Sequence, residues 1–179
     1  MNRDIDPRDL QQILRYEPDA GRLYWLNRPY SFFPLERAAN AWNAKYAYSE
    51  AFTAYAKNGY LVGNIFYRRY YAHRVIWALV HGKWPDRDID HINGDRADNR
   101  LCNLREATNA ENAYNMKTPA HNTSGYKGVG WHVATQRWRA QITVDGAYKH
   151  LGMFDTAEEA HAAYVTAAEK NYGKFARPA

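Results

Sequence analysis

The sequence predicts a modular α+β protein, in which a central strand, turn, strand and helix precede a three-stranded antiparallel sheet packed on one helix. Two kinds of local signal carry this prediction. The Thr-x-x-Glu pattern of a capping box occurs at residues 108–111 and 156–159, and each marks the first turn of a helix. The turn dipeptides Asn93-Gly94 and Asp145-Gly146 each stand between two short strand-like runs.

The composition predicts a soluble protein with an anionic partner. The 179-residue chain has 24 Lys and Arg against 19 Asp and Glu, a formal net charge of +5 and a pI of about 9.2, which favours nucleic acid. The single cysteine, Cys102, excludes intrachain disulfides and zinc sites built on paired cysteines. The first residues lack the apolar run of a signal peptide and no stretch is long enough for a membrane helix, so we expect a cytoplasmic location.

The elements at the start of the chain follow from shorter signals. Asp6 is a helix N-cap and Pro7 the first helical residue, and residues 22–26 are expected to form a strand. Residues 30–57 show no clear period and stay unassigned. We treat residues 1–57 as an N-terminal accessory region of unknown role.

Residues 58–117 form the predicted central unit. After the Asn58-Gly59 turn we expect a hairpin around residues 64–68, a helix at 73–82, strands at 88–91 and 100–104, and a helix capped by Thr108. Residues 118–124 predict a linker, because they contain Pro, Ser, Asn and Gly without periodicity. The rest, residues 125–179, is assigned to a C-terminal domain with strands near 128–132, 137–144 and 148–154 and a helix that Gly173 ends.

Polar residues concentrate where the first strand of the central unit ends. Asp90 and His91 close this strand, and Asn112 lies in the first turn of the helix capped by Thr108. Because such a unit brings the strand end against the helix start, the Asp90 carboxylate and the Asn112 amide oxygen are a candidate ligand pair for one Mg²⁺ or Mn²⁺ ion. No small-molecule cofactor is expected.

His91 is the candidate general base. Its side chain points to the side of the strand opposite to Asp90, toward a substrate rather than a metal. A neutral imidazole that titrates at about pH 6.5 accepts a proton from an attacking water at pH 7, and a phosphodiester suits this apparatus. Asn103 is expected to fix the loop that bears His91 through side-chain to backbone hydrogen bonds.

The run DHINGDRADNRLCNLR, with HRVIWALVHGKWP before it and NLREATNAENAYN after it, resembles the HNH endonucleases of phage and intron-encoded homing type. The resemblance covers residues 58–117 and implies a ββα-metal fold. It also implies that Asp90 and Asn112 are metal ligands, His91 the general base and Asn103 the structural middle asparagine. Asn112 stands where many members have a final histidine ligand, and an all-oxygen pair suits Mg²⁺ or Mn²⁺ better than Zn²⁺ or Ni²⁺.

Three further polar residues have two interpretations each. His73 belongs either to the site or to a half-buried structural position. Arg100 is a candidate clamp for a phosphate, or a surface charge on a polar turn. Asn99 is explained equally well by turn formation alone.

Alternation along RWRAQITV predicts a sheet with two different faces. The polar side chains on one face are Arg137, Arg139, Gln141 and Thr143. The apolar residues between them pack on the last helix. The polar face, with Lys127 and Lys149 nearby, is a candidate surface for double-stranded DNA, because arginine is the residue that most often contacts guanine edges. An ordinary solvated sheet face is the alternative.

Residues 126–176 look like the plant Apetala and ethylene-response-factor DNA-binding domain, through the landmarks GV, RW, LG and FDTAEEA. That family inserts its three-stranded sheet into the major groove, which makes Arg137, Arg139 and Lys149 candidate base contacts, with Trp131 beside them. Trp131 and the glycine before it stand where the family has arginines. The sequence preference of the plant domain therefore does not transfer.

Together these features predict a metal-dependent DNA endonuclease of homing or nicking type, at work in the bacterial host of a phage or mobile element. Two alternatives stay open: a DNA-binding regulator whose nuclease unit is inactive, and a structure- or RNA-directed nuclease. The target sequence, the number of strands cut and the choice between monomer and dimer are also open.

Overall fold

The structure, a computed structural model, describes residues 4–116, 118 and 122–176. The chain divides into two compact units, residues 1–106 and 107–179. The linker predicted at 118–124 lies partly outside the described residues, and the division between the units falls upstream of it. No helix in the described part of the chain is long and apolar enough to cross a membrane.

Unit 1 alternates short helices with small sheets. Its helices are α1 (Pro7–Ile13), α2 (Glu36–Tyr46) and α3 (Ala72–His81). Its strands are β1 (Leu14–Glu17), β2 (Arg22–Trp25), β3 (Glu50–Ala51), β4 (Ala54–Tyr55), β5 (Leu61–Ile65), β6 (Arg68–Tyr71), β7 (Asp88–His91) and β8 (Leu104–Ala107). Two three-stranded sheets have the orders β1-β2-β3 and β4-β5-β6, and β7 pairs with β8.

The core of unit 1 joins the N-terminal region to the predicted central unit. Leu10 and Ile13 of α1 are fully buried and belong to one apolar cluster with Ile65 of β5 and Ile76 of α3. Apolar residues at helical spacing place these side chains on the inner faces of α1 and α3. The N-terminal region is therefore part of the same folded body as the central unit.

Local predictions for unit 1 are confirmed where the signal was a cap or a turn. Asp6 caps α1, and its side chain accepts a hydrogen bond from the backbone N–H of Arg8. β5 and β6 form a hairpin through Phe66 and Tyr67, whose φ values of 47° and 65° are those of a type I′ turn. α3 ends at Gly82, which has a left-handed φ of 68°.

The second strand of the central unit begins later than predicted. Residues 101–103 form a 3₁₀ turn, in which the backbone N–H of Asn103 donates to the carbonyl oxygen of Arg100 at 2.8 Å. β8 starts only at Leu104. The strand expected at 100–104 is wrong over its first four residues, because the chain turns there and Asn103 bonds to the loop that precedes it.

Unit 2 is the predicted three-stranded sheet packed on a helix, preceded by a short helix. The helices α4 (Asn109–Tyr114) and α5 (Ala157–Tyr172) begin at the two predicted capping boxes. The strands β9 (Val129–His132), β10 (Arg137–Val144) and β11 (Ala147–Phe154) form an antiparallel sheet of order β11-β10-β9. Asp145 and Gly146, with φ of 50° and 78°, form the turn between β10 and β11.

The apolar face of β10 supplies the core of unit 2. Ile142 and Val144 are buried in a cluster with Tyr164 of α5, and Ala140 is buried in a second cluster with Ala160. α4 joins the same unit, because Tyr114 packs in the first of these clusters. The sheet and its helix therefore form the layered architecture that the alternation in β10 predicted.

Candidate active site

Asp90 is buried and held by an arginine of the neighbouring strand. β7 carries Asp90 and its pairing partner β8 carries Arg105. The Nε and Nη2 atoms of Arg105 lie 2.8 Å and 2.7 Å from the same carboxylate oxygen of Asp90, Oδ2. The two side chains are only 10% and 11% exposed. Arg105 therefore orients the carboxylate and balances its buried charge.

His91 ends β7, and its protonation pattern is set by Asn99. Nε2 of His91 lies 3.0 Å from Oδ1 of Asn99, and the two side chains are 3% and 1% exposed. The other end of the amide fixes its orientation, because Nδ2 donates to the carbonyl oxygen of Ala97 at 3.3 Å. An amide oxygen only accepts hydrogen bonds, so Nε2 carries the proton and Nδ1 carries the lone pair of the neutral ring.

Two buried histidines lie side by side under Tyr60. The ring centroids of His73 and His91 are 5.1 Å apart, and the Tyr60 ring lies 4.8 Å and 5.5 Å from them. Burial, followed by repulsion from His91, lowers the pKa of His73 from 6.5 to about 3. Burial also lowers the pKa of His91, and its hydrogen bond to Asn99 acts in the opposite direction. His91 is therefore neutral at pH 7, which is the state that a general base requires.

Asn103 holds the loop between β7 and β8. Its Oδ1 accepts from the backbone N–H of Asn93 at 2.9 Å, and its Nδ2 donates to the carbonyl oxygen of Asp98 at 2.8 Å. The backbone N–H of Gly94 donates to the carbonyl oxygen of His91 at 2.7 Å and closes the predicted tight turn. Asn103 therefore has a structural contact set here, and its place among the catalytic residues stays a prediction.

The hairpin of β1 and β2 holds the same loop from the other side. The Tyr16 hydroxyl accepts from the backbone N–H of Leu101 at 2.9 Å and donates to the carbonyl oxygen of Asn99 at 3.1 Å. Gly21, with φ of 68°, packs so closely that a Cβ there would lie 2.6 Å from the backbone nitrogen of Arg100. The N-terminal region thus positions Asn99 and, through Asn99, the ring of His91.

Arg100 lies at the exposed edge of the loop. Its Nε and Nη2 lie 2.8 Å and 2.6 Å from the carboxylate oxygens of Asp98, and these hydrogen bonds lower the pKa of Asp98 to about 2. A phosphate at Arg100 would have to share the guanidinium with Asp98. The contact between Arg100 and a phosphate therefore stays a prediction, and Asp98 would compete with the phosphate for the guanidinium.

Unit 1 brings together three of the four residues of the predicted motif, Asp90, His91 and Asn103. Asn112 lies in the first turn of α4, in unit 2, and its assignment as a metal ligand stays a prediction. Neither Arg105 nor Tyr16 was predicted from the sequence. A usable signal existed for Arg105, because it directly follows the strand expected at residues 100–104, next to that of Asp90.

The donors expected to hold a metal are oxygen atoms. No group of three or more His, Cys, Asp or Glu side chains among the described residues is arranged to bind a metal ion. The predicted pair, Asp90 and Asn112, supplies one carboxylate and one amide oxygen. Mg²⁺ commonly binds through one or two carboxylates and retains several waters. This donor chemistry fits a hard divalent cation better than zinc, which prefers nitrogen and sulfur ligands.

Strand register sorts the predicted DNA contacts between the two faces of the sheet in unit 2. Trp131 pairs directly with Trp138, and Lys149 pairs with Ile142, which is buried. Directly paired residues of antiparallel strands lie on the same face. Trp131 and Lys149 therefore lie on the face that carries Trp138 and Ile142, opposite to Arg139. This corrects the expectation that they stand beside the arginines.

Two of the other predicted cations already have partners within unit 2. Nζ of Lys127 donates to the carbonyl oxygens of Tyr114, the last residue of α4, and of Met116, two residues beyond it, at 2.7 Å each. Arg137 forms an ion pair with Asp155 at 2.9 Å. That pair is exposed and hence weak, so that Arg137 is able to exchange Asp155 for a phosphate.

The polar face of the sheet is therefore smaller than the sequence suggested. It carries the alternating residues of β10 together with their register partners on either side. These residues are Arg137, Arg139, Gln141, Thr143, His132, Tyr148, His150 and Met153. Only the two arginines among them are permanently charged, and Arg139 is the cation nearest the centre of β10.

Comparisons with known proteins match both parts of the chain. The family model described as HNH endonuclease matches residues 70–114, and the model of the AP2 domain matches residues 124–174. Protein 3.8 of Escherichia phage T7 is 38% identical over 113 residues, which are 63% of this chain and 93% of the phage protein. An uncharacterized HNH endonuclease, L560 of Acanthamoeba polyphaga mimivirus, is 33% identical over 108 residues, 59% of this chain and 55% of that protein. No solved structure matches the chain.

Proposed function

Because the chain belongs to the HNH endonuclease family and carries an AP2 domain after its HNH domain, we propose that it is a DNA endonuclease that hydrolyses phosphodiester bonds. The observation that carries the proposal is the hydrogen bond of 3.0 Å between His91 and Asn99. It fixes a buried, neutral imidazole in the tautomer whose Nδ1 accepts a proton. The enzyme is proposed to be of homing or nicking type.

His91 performs the proton transfer in this mechanism. Nδ1 has almost no exposed surface in this structure, so the water must enter the site with the substrate. Nδ1 then takes a proton from this water as the water oxygen attacks phosphorus in line with the leaving 3′ oxygen. The bond from phosphorus to the 3′ oxygen breaks, and the leaving oxygen takes a proton from solvent. The imidazolium that forms keeps its Nε2–H bond to Asn99, which becomes charge-assisted and therefore stronger at this moment.

Asp90 and Asn112 are the proposed ligands for one Mg²⁺ or Mn²⁺ ion. When bound, such an ion supplies positive charge for the phosphate oxygens. Arg105 holds the Asp90 carboxylate through Oδ2 in the orientation described above. Tyr16 and Asn103 keep the loop between β7 and β8 in one conformation, so that His91 does not have to be ordered again during the reaction.

The sheet of unit 2 is the proposed DNA-binding surface. Arg137 and Arg139 share its polar face with Gln141 and Thr143, and arginine donates to the O6 and N7 atoms of guanine in the major groove. Lys127 and Lys149 were also predicted from the sequence to contact DNA. Lys127 instead donates to backbone carbonyl oxygens, and Lys149 lies on the opposite face of the sheet. The proposed contact therefore rests on β10 rather than on the whole sheet.

A plasmid assay tests the function. Supercoiled plasmid and, separately, RNA are incubated with the protein, with Mg²⁺ or with a chelator. We expect nicked circles or linear DNA with Mg²⁺ only, and we expect His91→Ala to lower the cleavage rate by about 10² to 10⁴ while DNA binding is kept. Full activity of His91→Ala would refute the mechanism. DNA binding without any product would indicate a regulator, and cleavage of RNA alone would indicate an RNA-directed nuclease.

A further inference from the structure

Unit 1 contains an aromatic cavity that the proposed mechanism does not use. Its volume is about 450 Å³, within the usual range for a small-molecule site. The walls come from α2, from the end of β2 and from the turn between β5 and β6. The lining residues that matter below are Trp25, Arg28, Trp42, Phe66 and Tyr67.

Arg28 is a buried cation without an anionic partner in this cavity. The residue is 8% exposed, and its Nε forms no hydrogen bond. No carboxylate of the residues that the structure describes forms an ion pair with it. Its guanidinium carbon lies 3.8 Å from the ring centroid of Trp42, 4.6 Å from that of Trp25 and 5.2 Å from that of Phe66. The faces of these rings stabilise the positive charge of the guanidinium but do not bond to the N–H donors at its edge.

The surrounding structure holds this arrangement firmly. The Asn43 side chain accepts from the backbone N–H of Arg28 at 2.9 Å and donates to its carbonyl oxygen at 3.1 Å, which ties α2 to the segment after β2. Burial lowers the pKa of Arg28 to about 10, so the side chain stays protonated at pH 7. Burying a charged group without an anionic partner is costly. Because Nε is itself buried, a ligand in the cavity would bond to the terminal Nη atoms of Arg28.

The turn between β5 and β6 presents two aromatic rings to the same cavity. Phe66 and Tyr67 both have positive φ, which is rare for bulky residues and costs free energy. Tyr67 is fully exposed. An exposed tyrosine held by a strained turn at the mouth of an aromatic cavity is a suitable platform for a planar group, because bases stack on such rings.

The chemistry of the cavity selects a planar ligand with hydrogen-bond acceptors at one edge. Arg28 only donates, and its planar edge fits two adjacent acceptors. Guanine presents O6 and N7 in this arrangement. The aromatic walls favour a neutral ring over a bare phosphate, which would enter an apolar cavity with a single cation to balance it. The burial of Arg28 means that a base can reach it only after leaving the helical stack.

We propose that this cavity binds an unpaired guanine base of the nucleic-acid substrate, held by Arg28 and stacked between aromatic side chains. The proposal rests on the proposed function for the identity of the substrate. It gives the N-terminal region a recognition role in addition to its support of the loop at His91.

Titration of the intact protein with deoxynucleotides tests the proposal, because Trp25 and Trp42 line the cavity and report by fluorescence. We expect dGMP to change the emission saturably and to bind about 5- to 150-fold more tightly than dAMP, the range of one bidentate arginine contact. Arg28→Met should abolish this preference. Arg15→Met is the matched control, because the Arg15 guanidinium also lies over a ring, at 4.8 Å from Tyr24, but outside the cavity, and it should behave as wild type.

Tyr67→Ala is a second test in case Arg28→Met does not fold. Its ring is fully exposed, so its removal takes no packing contacts from the core. It should weaken dGMP binding several-fold. Equal binding of dGMP and dAMP, equal binding of inorganic phosphate, or wild-type dGMP binding in Tyr67→Ala would overturn the proposal. His91→Ala should bind dGMP normally while it loses cleavage, so failure of the nuclease mechanism and failure of the guanine site are distinguishable.

Discussion

Replacement of Asn99 by alanine probes the residue that the structure places behind His91. The variant removes the oxygen that accepts from Nε2 of His91 at 3.0 Å, in a site where Asn99 is 1% exposed. In the transition state this bond is made to an imidazolium, and a hydrogen bond to a charged group contributes about 1.5 to 3 kcal/mol. The bond to the neutral ring already contributes about 0.5 to 1.5 kcal/mol in the ground state. Only the difference of about 1 to 1.5 kcal/mol acts on kcat, so we expect Asn99→Ala to lower kcat by about 5- to 13-fold.

Plasmid cleavage under single-turnover conditions measures this loss. The KM for DNA should stay near the wild-type value, because Asn99 is too deeply buried to touch the substrate. Asn99→Asp supplies an oxygen acceptor at the same place and should recover most of the rate. Asn40→Ala, an exposed asparagine on α2 that bonds to the Tyr30 hydroxyl at 3.0 Å, is the control and should be fully active.

The tautomer itself can be observed. In protein labelled with ¹⁵N at histidine, the wild-type His91 ring should show a protonated Nε2 and an unprotonated Nδ1, and Asn99→Ala should lose this single pattern. Wild-type cleavage by folded Asn99→Ala would refute this role of Asn99. An Asn99→Asp variant as slow as Asn99→Ala would also refute it, because Asn99 would then contribute packing rather than a hydrogen-bond acceptor.

The remaining predictions concern metal, salt and pH. Alanine at Asp90 or Asn112 should raise the Mg²⁺ concentration needed for half-maximal cleavage, and unchanged titration curves in both variants would refute the ligand assignment. If Arg137 and Arg139 each neutralise one phosphate, they contribute about −1.8 to the slope of log affinity against log salt. All four cations predicted from the sequence, which include Lys127 and Lys149, would contribute about −3.6. A variant with methionine at both Arg137 and Arg139 and an unchanged slope would contradict this. His73 has its pKa lowered to about 3 in the folded protein, so stability present above pH 6.5 should fall as the pH drops from 6.5 toward 3, by at most about 1.4 kcal/mol per pH unit. His73→Phe should flatten the dependence of Tm on pH over that window, and an equal slope in both proteins would rule His73 out.

The elements that the sequence predicted well are those specified by adjacent residues. Thr108 and Thr156 bond to backbone groups three residues away, so each capping box is complete within one turn of helix. The same holds for Asp145-Gly146, whose positive φ values closed the predicted hairpin. The three-stranded sheet packed on a helix followed from these signals and from the alternation in β10.

The prediction failed where a partner far along the chain decided the conformation. Asn99 was explained as a turn residue, although its carbonyl oxygen bonds to the hydroxyl of Tyr16, 83 positions away. The strand expected at 100–104 was displaced, because Asn103 bonds to the loop before it and the chain turns at that point. Residues 30–57 lacked a period, since this stretch consists of short elements, among them the helix α2 and the two-residue strands β3 and β4, and its Trp42 packs on Arg28.

The candidate site shows the same division. The sequence by itself determined which residues are predicted to carry chemistry, because Asp90, His91, Asn103 and Asn112 stand at spacings that resemble a known family. Residue type alone sets what each of them can donate or accept. Only the tertiary structure decided that Asn99 selects the tautomer of His91, that Arg105 holds Asp90, and that Trp131 and Lys149 lie away from the arginine face. The physical reason is that a hydrogen bond or a strand register depends on where two distant segments meet, and local sequence specifies each segment but not their meeting point.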